Sequence, residues 1–297
     1  MNLRRVRSVV GLWCSALCQR PTALVRTTMS PSLPPETLDA IIDLLHDEPT
    51  TLKSCCAVSK SWVPRTRRHL FSHVEFHNAK SHLEVWKKAF PDPSNSPAHH
   101  ARTLSVYGAT DADAGVDDWL RAFHNVEHLL LARTDRSPLV SFYALSPAVR
   151  SLHLTHTTTD VFDLICSFPL LENLVLLDLH PGSEADLQLV SEAGGWNAPS
   201  KSPKLTGSLD LRMNWGLDSI AHRLCALPNG LRFTKIIVGF GIGDIDPIMD
   251  LVSKCSDTLE SLTVGCFIML GMFPSASVID QYLTAARGCR NAKGAFH

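Results

Sequence analysis

Two stretches decide how the folded part of this chain begins: LPPETLDAIIDLL, from Leu33 to Leu45, and AVSKSWVPRTRRHLF, from Ala57 to Phe71. Pro34 and Pro35 suit the first turn of a helix, and the acid Glu36 favours its positive end. Apolar residues then recur at i, i+3, i+4 and i+7, which predicts one apolar face on a short helix. These residues are Leu38, Ile41, Ile42 and Leu45.

Two more helical segments are expected after this helix. Pro49 ends the first helix, because proline biases the residue before it away from helical geometry. A second apolar stretch follows at Leu52, Cys55, Cys56 and Val58. The third segment runs from Ser59 to Phe71, with Pro64 marking a first turn or a kink. Its large anchors are Trp62, Leu70 and Phe71, and its polar side carries Arg65, Arg67 and Arg68.

The order of these residues resembles the F-box, a short helical motif of substrate receptors in cullin–RING ubiquitin ligases. The resemblance covers about 45 residues, and its signature is Leu33-Pro34-x-Glu36, a helix, Val58-Ser59-x-x-Trp62 and a closing Leu70-Phe71. It implies docking on a Skp-type adaptor, largely through apolar contacts. The adaptor-binding residues that it implies are Leu33, Pro34, Glu36, Leu38, Ile41, Leu45, Val58 and Trp62. The alternative is a plain helical hairpin packed into one core, with the three arginines as a solvated face rather than a nucleic-acid patch.

A pattern recurs through residues 100–266: two apolar residues are separated by one variable residue. The central apolar residues are Leu104, Leu129, Leu152, Leu174, Leu209, Ile236 and Leu262, at intervals of 25, 23, 22, 35, 27 and 26 residues. Five of the six intervals fall within the roughly 20–29 residues of leucine-rich repeats. The long interval contains a loop insertion around Gly194 to Pro203.

The pattern predicts short parallel strands whose alternate residues share one buried face. Helical stretches are expected between them at 116–123, 159–167, 185–192, 217–227 and 245–254. The predicted fold class is therefore α/β: a three-helix F-box module followed by an irregular leucine-rich-repeat solenoid with helices on its convex side. The rival is a doubly wound α/β domain, but GFGIGD, Gly239 to Asp244, lacks the G-x-G-x-x-G spacing of a dinucleotide loop.

Composition and charge patterning suggest five regions: a leader at 1–30, the helical module at 31–76, a linker at 77–99, the repeats at 100–266 and a cap or truncated tail at 267–297. The leader has five arginines and no acid, which fits a disordered or mis-assigned start at Met29, a mitochondrial presequence or a secretory signal. No run approaches the ~18 apolar residues needed to span a bilayer. The nine cysteines form no C-x-x-C pair, so reduced thiols in the cytoplasm or nucleus are expected.

These features predict a non-catalytic receptor that binds the Skp-type adaptor and, through it, cullin. The repeats would bind a protein substrate; no cofactor, metal, nucleic acid or membrane is expected, since the fourteen histidines are scattered. Residues that vary between the strand leucines are the predicted substrate contacts: His128, Leu130, His153, Val175, Asp210 and Ile237. The alternatives are a scaffold outside ubiquitin ligation and an α/β enzyme with an unrecognised pocket.

Overall fold

The fold is described from a computed structural model. It describes residues 33–77, 79–108, 117–133, 142, 145, 147–157, 161–179, 203–212, 217–240 and 246–266. The predicted leader, the helix expected at 185–192 and the segment 267–297 lie outside the described residues.

Three short helices open the described chain: α1 at Pro35–Leu44, α2 at Pro49–Val58 and α3 at Val63–Leu70. Each has a proline in its first turn. Backbone N–H groups in the first turn have no acceptor within the helix, so the N–H that proline lacks costs no helical hydrogen bond there. Helix α3 begins at Val63 with Pro64 in its first turn, and Trp62 lies immediately before the helix. The predicted third segment, Ser59 to Phe71, is helical only from Val63 to Leu70, because the chain turns between Ser59 and Trp62. Pro64 lies in a first turn, which was one of its two predicted positions.

One parallel sheet of eight strands follows the helices. Its strands are β1 His73–His77, β2 Thr103–Tyr107, β3 His128–Ala132, β4 Ser151–Thr155, β5 Asn173–Leu177, β6 Ser208–Arg212, β7 Lys235–Phe240 and β8 Ser261–Cys266. Helices in the connections are α4 Ala79–Ala89, α5 Asp117–Leu120, α6 Phe162–Ser167, α7 Leu217–Cys225 and α8 Asp246–Lys254, with 3₁₀ turns at Pro93–Asn95 and Pro97–His100.

The strands lie side by side in chain order, so every connection moves one strand further along the sheet. A doubly wound sheet reverses its strand order at one point. None of the eight described strands shows such a reversal, and this topology contradicts the doubly wound alternative. The architecture is α/β with one eight-stranded parallel sheet, and it is compatible with a solenoid.

The second residues of the strands form one continuous row, which is buried from β1 to β7 and partly buried at Leu262 on β8. Register pairs Leu104 with Leu129, Leu129 with Leu152, and so on to Leu262 on β8. All seven predicted central residues occupy this row, which confirms the strand prediction. The fourth residues form a parallel row that is buried from β1 to β7, whereas Val264 on β8 is exposed. Side chains of helices α4 to α8 pack with the buried parts of both rows in a single hydrophobic core.

The segment 77–99, expected as a linker, contains helix α4, the first 3₁₀ turn and all but the last residue of the second. The predicted module boundary at residue 76 falls within β1, which adds an eighth strand that the repeat pattern did not include. Trp86 of α4 is buried between Phe71, which follows α3, and Phe76 of β1, with ring centroids 5.8 Å and 5.7 Å away. This aromatic cluster joins the three helices to the sheet.

Candidate interaction surfaces

Helix α1 carries apolar side chains on two sides, one buried and one exposed. Ile42 is buried at 2% exposure, and Leu38 and Leu45 are partly buried. Ile41 and Leu44, one turn apart on the other side, are exposed to solvent. The single apolar face predicted for Leu38, Ile41, Ile42 and Leu45 is thus divided, since Ile41 lies outside it.

Four large apolar side chains of the helical unit are exposed. Leu33 is 52% exposed, Ile41 45%, Leu44 81% and Val58 67%. Single exposed apolar residues are ordinary on protein surfaces, and contiguous patches of them mark interaction sites. These four residues are called the apolar surface of the helical unit below.

The other predicted adaptor-binding residues lie at different depths around this surface. Pro34 and Glu36 are exposed at the start of α1. Leu38, Leu45 and Trp62 are partly buried. Leu44, which is the most exposed large apolar residue described, was not among the predicted residues. Its position three residues after Ile41 on the same helix is the sequence signal that could have identified it.

An ionic cluster holds α1 against α3. Arg65 donates to both carboxylate oxygens of Asp43, through Nε at 2.6 Å and through Nη2. The ring Nε2 of His69 lies 2.7 Å from Asp43 Oδ1. The hydrogen bonds from Arg65, followed by that of His69, hold the pKa of Asp43 well below its usual range. This cluster fixes the angle at which α1 presents its exposed side.

The sheet has one open face, formed by the first, third and fifth residues of each strand. Its middle row runs Glu75, Ser105, Leu130, His153, Val175, Asp210, Ile237 and Thr263 in register. Five of the six predicted substrate contacts therefore lie on neighbouring strands in one line, about 4.8 Å apart. The sixth, His128, belongs to the adjacent row of the same face.

Asp210 is less available than the sequence suggested. It is buried, and its two carboxylate oxygens accept hydrogen bonds of 2.7 Å from Nε and Nη2 of Arg212. Arg212 is exposed and is the member of the pair that a ligand could reach. Arg212 was not among the predicted contacts, although its position two residues after Asp210 places both side chains on the same face of the strand.

His153 lies on β4, two strands from Asp210. Burial, aided by the charge of Arg212 and opposed by that of Asp210, lowers the pKa of His153. Its Nε2 lies 2.9 Å from the hydroxyl of Thr155. The middle of the open face therefore combines a half-buried imidazole and an ion pair with the aliphatic side chains of Leu130, Val175 and Ile237.

Four strands are each followed directly by a residue with left-handed backbone geometry. Gly108, Arg133, His156 and Asp178 have φ values of 67°, 54°, 51° and 52° and directly follow β2, β3, β4 and β5. His156 Nδ1 lies 2.5 Å from Asp178 Oδ2. Their backbone N–H groups donate to the last residue of the next strand, so the ladder continues one residue beyond the strands.

The described part of the chain lacks two features that other functional classes require. There, no three His, Cys, Asp or Glu side chains converge as metal ligands, and no helix has the length and apolarity to cross a membrane. Cys55, Cys56, Cys225 and Cys255 are free thiols. Burial raises the pKa of Cys56, Cys225 and Cys255, which disfavours the reactive thiolate form.

No protein-family model matches this chain, and no curated protein matches it.

Proposed function

We propose that this protein is the substrate-recognition subunit of a cullin–RING ubiquitin ligase. In this proposal the three-helix unit is an F-box that binds a Skp-type adaptor, and the sheet with its helices is an irregular leucine-rich-repeat solenoid that binds a protein substrate. The chain itself performs no chemistry, because ubiquitin transfer belongs to the partner enzymes.

The observation that carries the proposal is the apolar surface of the helical unit. Leu33, Ile41 and Val58 are residues that the F-box resemblance assigns to adaptor binding, and all three are exposed. If these helices served only to cap the sheet, their large apolar residues would be expected to face the core. Leu44 extends the surface by one more turn of α1.

The open face of the sheet supports the second half of the proposal. A solenoid offers a long binding surface because each repeat adds one strand to the same face. Half-buried Leu130, Val175 and Ile237 supply apolar contacts. On the same face, His153 and Arg212 supply groups for hydrogen bonds. Interfaces between proteins commonly combine these two kinds of contact.

The test is a pull-down from cells with the full chain, in which the Skp-type adaptor and cullin are detected separately. The variants are a Leu33→Ala, Pro34→Ala double substitution and an Ile41→Ala, Val58→Ala double substitution. The matched control is Val85→Ala with Leu170→Ala, which shortens two exposed apolar side chains elsewhere in the protein.

We expect the unmodified chain and the control to recover adaptor and cullin, and both surface variants to lose them. Recovery of the adaptor without cullin would favour a scaffold outside ubiquitin ligation. Recovery of neither by the unmodified chain would reduce the helical unit to a cap on the sheet and overturn the proposal.

A further inference from the structure

The two ends of the sheet differ in how their outer edges are covered. At the first end, the backbone N–H of His77 on β1 donates to Nδ1 of His82 on α4, 3.2 Å away. At the other end, β8 pairs with β7, and no strand among the described residues lies on its outer side. The side chain of Val264 on β8 is 41% exposed, so the described sheet ends there with an uncovered edge.

The backbone of β8 shows which of its residues face the outer side. Successive residues of a strand direct their N–H and C=O groups to opposite edges. The N–H of Ser261 donates to the carbonyl oxygen of Thr234, which directly precedes β7, at 3.0 Å. Alternate residues after Ser261 therefore also point toward β7, and the residues between them point outward. The outward-pointing residues are Leu262, Val264 and Cys266.

The sequence of β8 does not protect this edge. Sheet edges in natural proteins are commonly blunted by a charged side chain, a proline or a covering element. The strand SLTVGC contains neither a charge nor a proline. On the face that packs against the helices, Val264 is exposed and Leu262 is only partly buried. An edge with free backbone groups and apolar side chains is typical of a strand that pairs with another strand.

The residues after β8 do not repeat the strand pattern. Central strand residues follow one another at intervals of 22–35 residues, which would place the next one between residues 284 and 297. Phe296 is the single Leu, Ile, Val, Met or Phe in this range, whereas each strand of the pattern has two such residues separated by one. The repeat pattern therefore supplies no ninth strand up to residue 297.

We propose that β8 pairs with β8 of a second copy of this chain, antiparallel and about a twofold axis at Val264. Residues directly opposite each other in an antiparallel pair exchange N–H···O bonds at every second position. An axis at Val264 places this residue opposite its own copy, and Leu262 opposite Cys266 of the second copy. All the outward-pointing residues are then paired, in about six hydrogen bonds.

The edge suits pairing between identical strands. Opposite side chains lie on the same face, so Val264 would contact its own copy and the apolar rows would continue from one molecule into the other. Like charges opposite each other would disfavour such pairing, and β8 carries no charge. Twofold symmetry with a self-complementary surface is the commonest arrangement of soluble oligomers. The interface lies at the opposite end of the sheet from the helical unit, so it does not depend on the proposed adaptor binding.

Sedimentation velocity of the full chain over a series of concentrations measures the dimer. Val264→Lys and Val264→Glu each bring two like charges together at the axis, and each should weaken dimerisation by about tenfold or more. An equimolar mixture of the two variants should restore it, because lysine then faces glutamate. Val85→Lys is the matched control: it introduces the same charge at a valine of α4 that is 45% exposed, and it should leave dimerisation unchanged.

Hydrogen exchange of the backbone tests the same edge independently. The amides of Leu262 and Val264 should exchange more slowly as the protein concentration rises, because they gain acceptors only in the dimer. The Ser261 amide is bonded to Thr234 within one molecule, so its exchange should not depend on concentration.

The proposal is overturned if the unmodified chain stays monomeric. Slow exchange at Leu262 and Val264 in the monomer would then show that another part of the chain covers β8, and fast exchange would leave the edge to a strand of a different protein. Dimerisation that persists in Val264→Lys, or that the mixture does not restore, would also overturn pairing at Val264. Thermal unfolding of each variant shows that it is folded before association is compared.

Discussion

The rings of Phe71 and Trp86 meet edge to face, with 5.8 Å between their centroids and an interplanar angle of 88°. Phe71 ends the three-helix unit, and Trp86 lies on α4 beside the sheet. The Trp86 indole N–H donates to the Ser96 hydroxyl at 3.2 Å, so the buried ring has its polar atom satisfied. The two parts of the protein are therefore joined by a packed aromatic contact.

Trp86→Ala should destabilise the protein by about 3–5 kcal/mol, because it opens a cavity among Phe71, Phe76 and Phe123. The free energy of unfolding from urea titration measures this. Trp86→Phe, which keeps most of the volume, should cost clearly less. Equal losses for the two variants would show that packing at this junction is not the cause.

Ile41 and Ile42 offer a test in which only burial differs. Ile42→Ala should cost about 2–4 kcal/mol, since its side chain is 2% exposed. Ile41→Ala should change the free energy of unfolding by less than about 1 kcal/mol while it weakens the proposed adaptor binding. Urea unfolding of both variants is the measurement, and similar losses of stability would contradict the two-faced description of α1.

Asp43→Asn should remove a contribution to stability that depends on pH. The pKa of Asp43 is depressed in the folded protein, so its contribution is fully present above the unfolded value of about 3.9 and is lost progressively as pH falls from there through the lower folded pKa. Because the carboxylate is partly exposed and screened by solvent, we expect about 1 kcal/mol at neutral pH. The stabilities of variant and unmodified protein should converge toward pH 2 in thermal unfolding; a constant difference across this range would argue against the cluster.

The pKa of His153 should respond in opposite directions to its two charged neighbours. Burial sets it below about 6.5, and Arg212→Ala should raise it because a repelling charge is removed. Asp210→Asn should lower it further, because the attracting charge is lost while Arg212 remains. NMR titration of the His153 ring measures its pKa in the unmodified protein and in both variants. Shifts of the same sign in the two variants would contradict the electrostatic arrangement of the open face.

Gly108→Ala should destabilise the protein by about 1 kcal/mol. The φ of Gly108 is 67°, a conformation that costs L-residues about 1–2 kcal/mol. A Cβ at this position would meet no atom within 4 Å, so the cost is conformational and not steric. Gly265→Ala is the matched control, because Gly265 has no positive φ and an added Cβ makes only an ordinary contact at 3.9 Å. Thermal unfolding compares them, and equal losses would exclude the backbone explanation.

The amino-acid sequence alone determined the sheet from β2 to β8. A pair of apolar residues two positions apart, recurring at intervals of 22–35 residues, predicts strands that bury the same face, and all seven central residues lie in one row. Helices near 162–167, 217–225 and 246–254 followed from the same pattern. Local periodicity is sufficient here because each repeat mainly contacts its neighbours.

Tertiary structure alone decided what depends on distant partners. The strand β1, HVEFH, is formed by pairing with β2 nearly thirty residues away, so the first member of the row could not be recognised from the later repeats. Ile41 and Ile42 have the same chemistry, and only the packing of α1 against α3 separates the exposed side chain from the buried one. Arg67 and Arg65 are likewise alike in sequence, but Asp43 lies within reach of Arg65 alone. Burial and ion pairing are properties of the surroundings that folding creates, and residue type does not carry them.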